Sequence, residues 1–188
     1  MGTSVSQRSP KTTLWKVVDR AYESERFPVE RAAQELWRAA TNQPSGDLAT
    51  GLASDVVAAC LDVALNARSR SEASSSAGLA VAFSGEASLA ADIARRAAVR
   101  SVGTEGDRAL GFARALFSEA SNYLVSRDLP GFVGPSGRAQ TVGQAVELKA
   151  AVRSRVEAVV EQGPRPPAGA GSEWSGYVRS VVQMLAGR

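Results

Sequence analysis

The chain has 188 residues, a formal net charge of +3 and 44% hydrophobic residues, as expected for an ordinary globular protein of one or two domains. It contains no histidine, which excludes catalytic triads built on histidine, histidine-ligated zinc and histidine acid–base chemistry. Because Cys60 is the single cysteine, an intrachain disulfide and a cysteine metal cage are excluded as well.

The N-terminal part of the chain predicts two helices that pair as an antiparallel hairpin. Residues 1–9 are polar and are expected to form a disordered tail, after which Pro10 begins the first helix. Apolar residues recur every three or four positions over residues 14–22, and the same spacing returns after Pro28. The short connection between the two segments favours a helical hairpin.

The next segment, residues 47–68, is apolar on most sides, which is typical of a helix at the centre of a bundle. Gly51 is a candidate break within it. The serine-rich residues 68–76 are interpreted as a polar loop, and residues 77–83 as one or two apolar helical turns.

Three longer helices are predicted in the rest of the chain. One ends near Val102, the next begins at a cap on Thr104, and the third spans residues 141–162. Residues 128–140 hold two prolines and three glycines and interrupt the helical pattern. A Pro- and Gly-rich linker over residues 163–171 then leads to a final helix.

Nothing in the chain shows the alternation or the turn chemistry of β-strands. The sequence therefore predicts an all-α, single-domain bundle of about six or seven helices over residues 10–162. A tethered C-terminal amphipathic helix over residues 172–188 completes the organisation.

This C-terminal helix is the first candidate for a binding surface, because a tethered amphipathic helix with aromatic anchors suits docking on another protein or on a second copy. The competing interpretation is that it docks on its own bundle as the last core helix. Its proposed partner-binding residues are Trp174, Tyr177, Val178, Val181 and Leu185.

Basic residues on two helices are the second candidate, as contacts for an anion or a nucleic acid. Like charges four positions apart slightly destabilise a helix, and a bound anion would relieve this. The competing interpretation is a solvated face balanced by carboxylates such as Asp92 and Glu157, since 22 basic residues stand against 19 acidic ones without clustering. The candidates are Arg95, Arg96, Arg100, Lys149 and Arg153, with Arg138 in the Gly-rich stretch upstream.

No nucleotide-binding, metal-binding or catalytic motif accompanies these residues. We therefore expect no enzyme activity, no cofactor and no metal, but a non-catalytic interaction module, an adaptor or a subunit of a larger assembly in the cytoplasm. Its partner is another protein or a second copy. A helical nucleic-acid-contacting subunit is the alternative, and a small-ligand site in the core near Trp37 and Phe117 is the third hypothesis. No apolar run is long enough to predict a membrane span, so no membrane partner is expected.

Overall fold

The computed structural model describes residues 29–41, 48–85, 88–103, 106–126, 142–169 and 171–188. Within these ranges the protein forms eight α-helices and no β-strand, which confirms the predicted all-α bundle. The predicted tail and the first predicted helix lie outside the described residues. The helices are α1 (Val29–Thr41), α2 (Leu48–Leu52), α3 (Asp55–Asn66), α4 (Arg70–Ser84), α5 (Leu89–Ser101), α6 (Arg108–Ser126), α7 (Val142–Gln162) and α8 (Glu173–Leu185).

The centre of the bundle is α5, which packs against α2, α3, α4 and α6. Most of its buried side chains are alanines, and such small side chains let the neighbouring helices approach closely. One close approach is at α2, where a Cβ added to Gly51 would lie 2.9 Å from the Cβ of Ala90. On the other side, α6 joins α5 to α7 and buries Phe112, Leu116 and Phe117 completely.

The long apolar segment at residues 47–68 divides into α2 and α3, close to the break predicted at Gly51. The final turn of α2 closes with hydrogen bonds from Ala53 N to Thr50 O and from Ser54 N to Gly51 O, each 3.1 Å. Each bond joins residues three positions apart, as in a 3₁₀ turn, rather than four apart, as in an α-helix. The turn is therefore tighter, and the helix ends here. The carbonyl of Leu52 is thereby left for a partner elsewhere in the bundle.

Residues 68–76 do not form the predicted polar loop, because α4 already begins at Arg70. Ser69 Oγ accepts a hydrogen bond from Glu72 N at 3.2 Å, and the Glu72 carboxylate accepts one from Arg68 N at 2.8 Å. This reciprocal arrangement is a form of the capping box. Ala73 and Ala77 on the inner side of α4 are fully buried, while most of its serines face solvent.

The start of α6 also differs from the prediction, which placed the cap at Thr104, a residue outside the described ranges. Asp107 is the N-cap, since its Oδ1 accepts hydrogen bonds from Ala109 N at 2.9 Å and Leu110 N at 3.2 Å. A carboxylate in this position also interacts favourably with the helix dipole.

Arginines from other helices cap helix C-termini in this fold. The guanidinium of Arg108 donates to the carbonyls of Leu65 and Ala67 at the end of α3, at 3.0 and 2.9 Å. Arg155 on α7 donates to two carbonyls at the end of α8, and Arg70 donates to one just beyond α5. The last carbonyls of a helix have no partner within the helix and attract cations, so these arginines are structural.

Candidate interaction surfaces

The apolar face of α8 lies in the core of the bundle. The five side chains proposed for partner binding are at most 5% exposed, and α8 packs on α1, α2 and α7. Docking on the chain's own bundle, the competing interpretation, is therefore what the structure shows. The expectation that these side chains face a partner is corrected, because the neighbouring helices already cover Trp174, Tyr177, Val178, Val181 and Leu185.

A row of aromatic rings connects α8 to the rest of the core. The Trp174 ring lies 5.8 Å from Phe112 and 5.4 Å from Tyr177 between centroids. Phe117 then contacts Tyr177 at 6.4 Å and Trp37 at 6.2 Å, both edge to face. The part of the core for which the third hypothesis proposed a small ligand is thus filled by the chain's own rings.

The linker before α8 also packs on the bundle. Pro166 is buried, and a Cβ added to Gly169 would lie 3.4 Å from the Asp62 carboxylate of α3. The linker therefore contacts the body of the protein on its way to α8.

One helix presents large apolar side chains to solvent. Phe83 is 86% exposed and Leu79 is 57% exposed, one turn apart on the outer side of α4. Ser75 and Ala82 lie on the same side and are exposed too. We call these four residues the α4 face. From Ser74 to Ser84 the helix carries no charged residue, so the whole face is uncharged.

The sequence did not identify the α4 face, because its residues were divided between a polar loop and a short apolar segment. The signal that would have found it is the S-x-x-E pattern from Ser69 to Glu72, which marks the start of a helix. Once that start is known, helical spacing places Leu79 and Phe83 on one side.

The three candidate arginines of α5 are engaged with carboxylates. Arg95 pairs with Asp92 at 3.4 Å, within the same helix. Arg96 and Arg100 both pair with Glu119 of α6, whose side chain is only 14% exposed. The partly buried Glu119 thus compensates two arginines that the sequence treats as candidate phosphate contacts.

Lys149 and Arg153 of α7 line a groove between α6 and α7 of about 680 Å³. Arg100 and Arg114 line it as well, so the structure brings candidates from both predicted basic groups to one place. Small residues form part of the lining of this α6–α7 groove: Gly111, Ala115 and Ser118 on α6, and Ala150 on α7. Arg138, the remaining candidate, lies outside the described residues.

After the ion pairs around this groove are formed, two groups have no partner among the described residues. Arg114 pairs with Glu161 at 2.6 Å through Nη2, and Arg153 pairs with Glu157 at 3.0 Å. Arg114 Nε, however, is buried and has no hydrogen-bond acceptor. Lys149 is exposed and forms no ion pair with any described residue.

Burial shifts the pKa of two titratable groups in the core. It raises the pKa of the Cys60 thiol from 9.0 to about 11, although Arg95 opposes the shift slightly. It also raises the pKa of Tyr177, and the negative charge of Asp107 adds to this effect. Within the described ranges the Tyr177 hydroxyl has no hydrogen-bond partner. Among the described residues no three Asp, Glu or Cys side chains converge as metal ligands would.

None of the helices in the described part of the chain is both long and apolar enough to span a bilayer. Comparison with known proteins gives no match: no family model, no curated relative and no solved structure corresponds to this chain.

Proposed function

We propose that the protein is a non-catalytic interaction module that binds another protein through the α4 face. The observation that carries the proposal is the exposure of Phe83 and Leu79, at 86% and 57%, on a helix with no charge between Ser74 and Ser84. Isolated apolar residues on a surface are common, and the proposal depends on the fact that here two large ones lie a turn apart on an uncharged helical face. The cytoplasmic location expected from the sequence belongs to the same proposal.

The small area of the α4 face favours a partner whose groove encloses the exposed side of the helix. It disfavours a partner with a flat binding surface. With 15 residues, α4 is about 22 Å long and about 10 Å wide, so its outer side offers roughly 200 Å². A standard interface buries about 800 Å² on each partner. Two α4 faces laid against each other would fall well short of that area.

The occupant we propose is therefore an apolar groove on a different protein. In helix-in-groove recognition, anchors spaced by three or four residues insert into the groove, and Leu79 and Phe83 have this spacing. Because the face carries no charge, the groove needs no ionic partner and its walls are apolar. Affinity then depends mainly on the burial of the Phe83 ring.

Site-specific photo-crosslinking tests this proposal. A photoreactive phenylalanine analogue at position 83 is expected to crosslink one protein in cells of the native source. The same analogue at position 146 is the matched control, because Val146 is also an exposed apolar residue, at 58%, but lies on α7. The crosslinked protein is then purified, and its dissociation constant is measured with wild-type protein and with Phe83→Ser.

We expect Phe83→Ser to weaken this binding at least about tenfold and Val146→Ser to leave it unchanged. Both variants should keep the wild-type melting temperature, since the two side chains are exposed. Equal binding by Phe83→Ser would contradict the proposal, as would equal crosslinking at the two positions. A dimer in sedimentation equilibrium that Phe83→Ser dissociates would show the occupant to be a second copy instead.

A further inference from the structure

We propose that the α6–α7 groove binds a small organic anion, with a carboxylate or phosphate head held by Lys149 and Arg114 and an apolar body lying along the groove. The site is separate from the α4 face and does not depend on the function proposed for it.

The groove has the size and construction of a small-molecule site. Its volume of about 680 Å³ lies within the range of roughly 300–1,000 Å³ found for ligand pockets. Several of its lining residues are small, including Gly111 and Ala115 on α6 and Ala150 on α7. Basic side chains from three helices also line the groove: Arg100 from α5, Arg114 from α6, and Lys149 and Arg153 from α7.

Two groups in the groove have unused capacity for an anion. Arg114 lines the groove and its side chain is 43% exposed, although its Nε atom is buried. Lys149 has no ion-pair partner among the described residues, and it stands one turn from Arg153, another cation. An anionic head group would interact with the exposed part of the Arg114 guanidinium and would neutralise Lys149.

The carboxylates in and beside the groove already have partners. Asp107 is engaged as the N-cap of α6, where it accepts two backbone hydrogen bonds. Glu157 pairs with Arg153, and Glu161 pairs with Nη2 of Arg114 rather than with Nε. Among the described residues, Lys149 is thus left without an ion-pair partner and can meet a ligand.

Apolar side chains of the same groove indicate that the ligand is more than a free inorganic ion. Leu110 contributes apolar surface from α6, and Val146 from α7. Val146 is 58% exposed, which is unusual for a large apolar side chain in this protein. A ligand with an apolar body would bury this side chain while its head group reaches the basic groups.

The same geometry favours a small anion over a nucleic acid. Nucleic-acid backbones bind to rows of exposed cations whose charge is free to replace counterions. Here Arg96, Arg100 and Arg153 all have carboxylate partners, and Lys149, which has no ion-pair partner among the described residues, lies at a concave site. A single head group fits this arrangement better than a repeating backbone does.

Calorimetric titration with four simple compounds tests the proposal. We expect 2-naphthoate and 2-naphthyl phosphate to bind, because each combines an anionic head with an apolar body. Inorganic phosphate lacks the body and 2-naphthol lacks the charge, so both are expected to bind at least about tenfold more weakly. The tighter of the two naphthyl anions identifies the preferred head group, and either preference agrees with the proposal.

Variants locate the binding site. Lys149→Met is expected to weaken the naphthyl anions about tenfold, whereas Lys149→Arg keeps the charge and most of the affinity. Arg95→Met is the matched control, because Arg95 is exposed and basic but does not line the groove. The melting temperatures of the three variants should match that of the wild type, since both side chains are exposed.

Three results would overturn the proposal. The first is the absence of binding by both naphthyl anions at millimolar concentration. The second is the loss of either expected difference in affinity. The protein would then bind 2-naphthol as tightly as the anions, or Lys149→Met would bind the naphthyl anions as tightly as the wild type does. The third is binding of single-stranded DNA that weakens steeply with salt and depends equally on Lys149 and Arg95, which would indicate a nucleic-acid surface instead.

Discussion

The indole Nε1 of Trp174 donates a hydrogen bond of 2.9 Å to the carbonyl oxygen of Leu52, which joins α8 to the end of α2 across 122 positions of the chain. This carbonyl is available because α2 stops just beyond it. The bond is buried, so both groups would be left unsatisfied if α8 moved away. The C-terminal helix is thereby tied to the core by a polar contact as well as by apolar packing.

Trp174→Phe is expected to lower the free energy of unfolding by about 2–3 kcal/mol, because it removes the donor and leaves the Leu52 carbonyl buried without a partner. Tyr177→Phe is the matched control on the same face of α8. Its hydroxyl has no hydrogen-bond partner, so its removal should be neutral or stabilising by up to about 1 kcal/mol. Urea unfolding of the two variants measures the difference, and equal destabilisation would contradict the contact.

Deletion of residues 172–188 is expected to unfold the protein. Six apolar side chains of α8 are buried, and their burial contributes on the order of 10 kcal/mol, which is comparable to the whole stability of a domain this size. Circular dichroism and urea titration of the truncated chain test this. A truncated chain with a cooperative transition and native helix content would show that α8 is dispensable.

Gly51→Ala tests the close approach of α2 and α5. In the wild type the new methyl group would lie 2.9 Å from the Cβ of Ala90, and relief of that overlap should lower the stability by about 1–3 kcal/mol. In an Ala90→Gly background the overlap is gone, and the same substitution should stabilise by about 0.5–1 kcal/mol through helix propensity. Gly176→Ala, which meets nothing within 4 Å, should stabilise in either background.

The opposite signs in the two backgrounds are the critical result of this double-mutant cycle. If Gly51→Ala has the same effect with and without the methyl group of Ala90, the two helices are not in contact at this point.

Arg155→Met tests the capping of α8. The guanidinium donates to the carbonyls of Leu185 at 2.9 Å and Met184 at 2.5 Å, and its removal should lower the stability by about 1.5–3 kcal/mol. Arg179→Met removes an exposed arginine of α8 and should change the stability by less than about 0.5 kcal/mol. Chemical unfolding measures both, and a neutral Arg155→Met would refute the structural role.

The stability of the protein is expected to fall as pH rises between about 9 and 11, in part because of Cys60. Its pKa is raised from 9.0 to about 11 by burial, so above pH 9 the unfolded chain loses this proton while the folded chain keeps it. The unfolded state then binds fewer protons, which favours unfolding, by up to about 3 kcal/mol once both pKa values are passed. The contribution is fully present below pH 9.

Cys60→Ala isolates this effect from other titrating groups, including Tyr177, whose raised pKa acts in the same direction at higher pH. Comparing urea midpoints of wild type and Cys60→Ala from pH 8 to pH 11 should give a steeper loss for the wild type. Parallel curves would show that the thiol ionises as readily in the folded state as in the unfolded chain.

The architecture could be predicted from the sequence where helices have a strong apolar stripe. The final helix is an example, because Trp174, Val178, Val181 and Leu185 repeat at three- and four-residue spacing and form one buried face. What the spacing could not show is whether this face meets the chain's own bundle or a partner. The apolar stripe has the same chemistry in both cases.

The candidate surface could not be predicted in the same way, because α4 has almost no buried stripe. Only Ala73 and Ala77 are buried within it, and serine is a moderate helix former, so neither periodicity nor propensity indicated a helix. The basic residues were identified as groups, but not their partners. Glu119 and Arg114 come close to them only through the packing of α5, α6 and α7.

The proposed function depends on the exposure of the α4 face, and the fold depends on the burial of α8 in the core. Thiol labelling of Phe83→Cys and Val178→Cys, each in a Cys60→Ala background, measures both exposures with one reagent. The account predicts that the thiol at position 83 reacts as fast as a free cysteine, while the thiol at position 178 reacts at least about 1,000-fold more slowly because it needs an opening of the core. Equal rates, or faster labelling at position 178, would contradict the account.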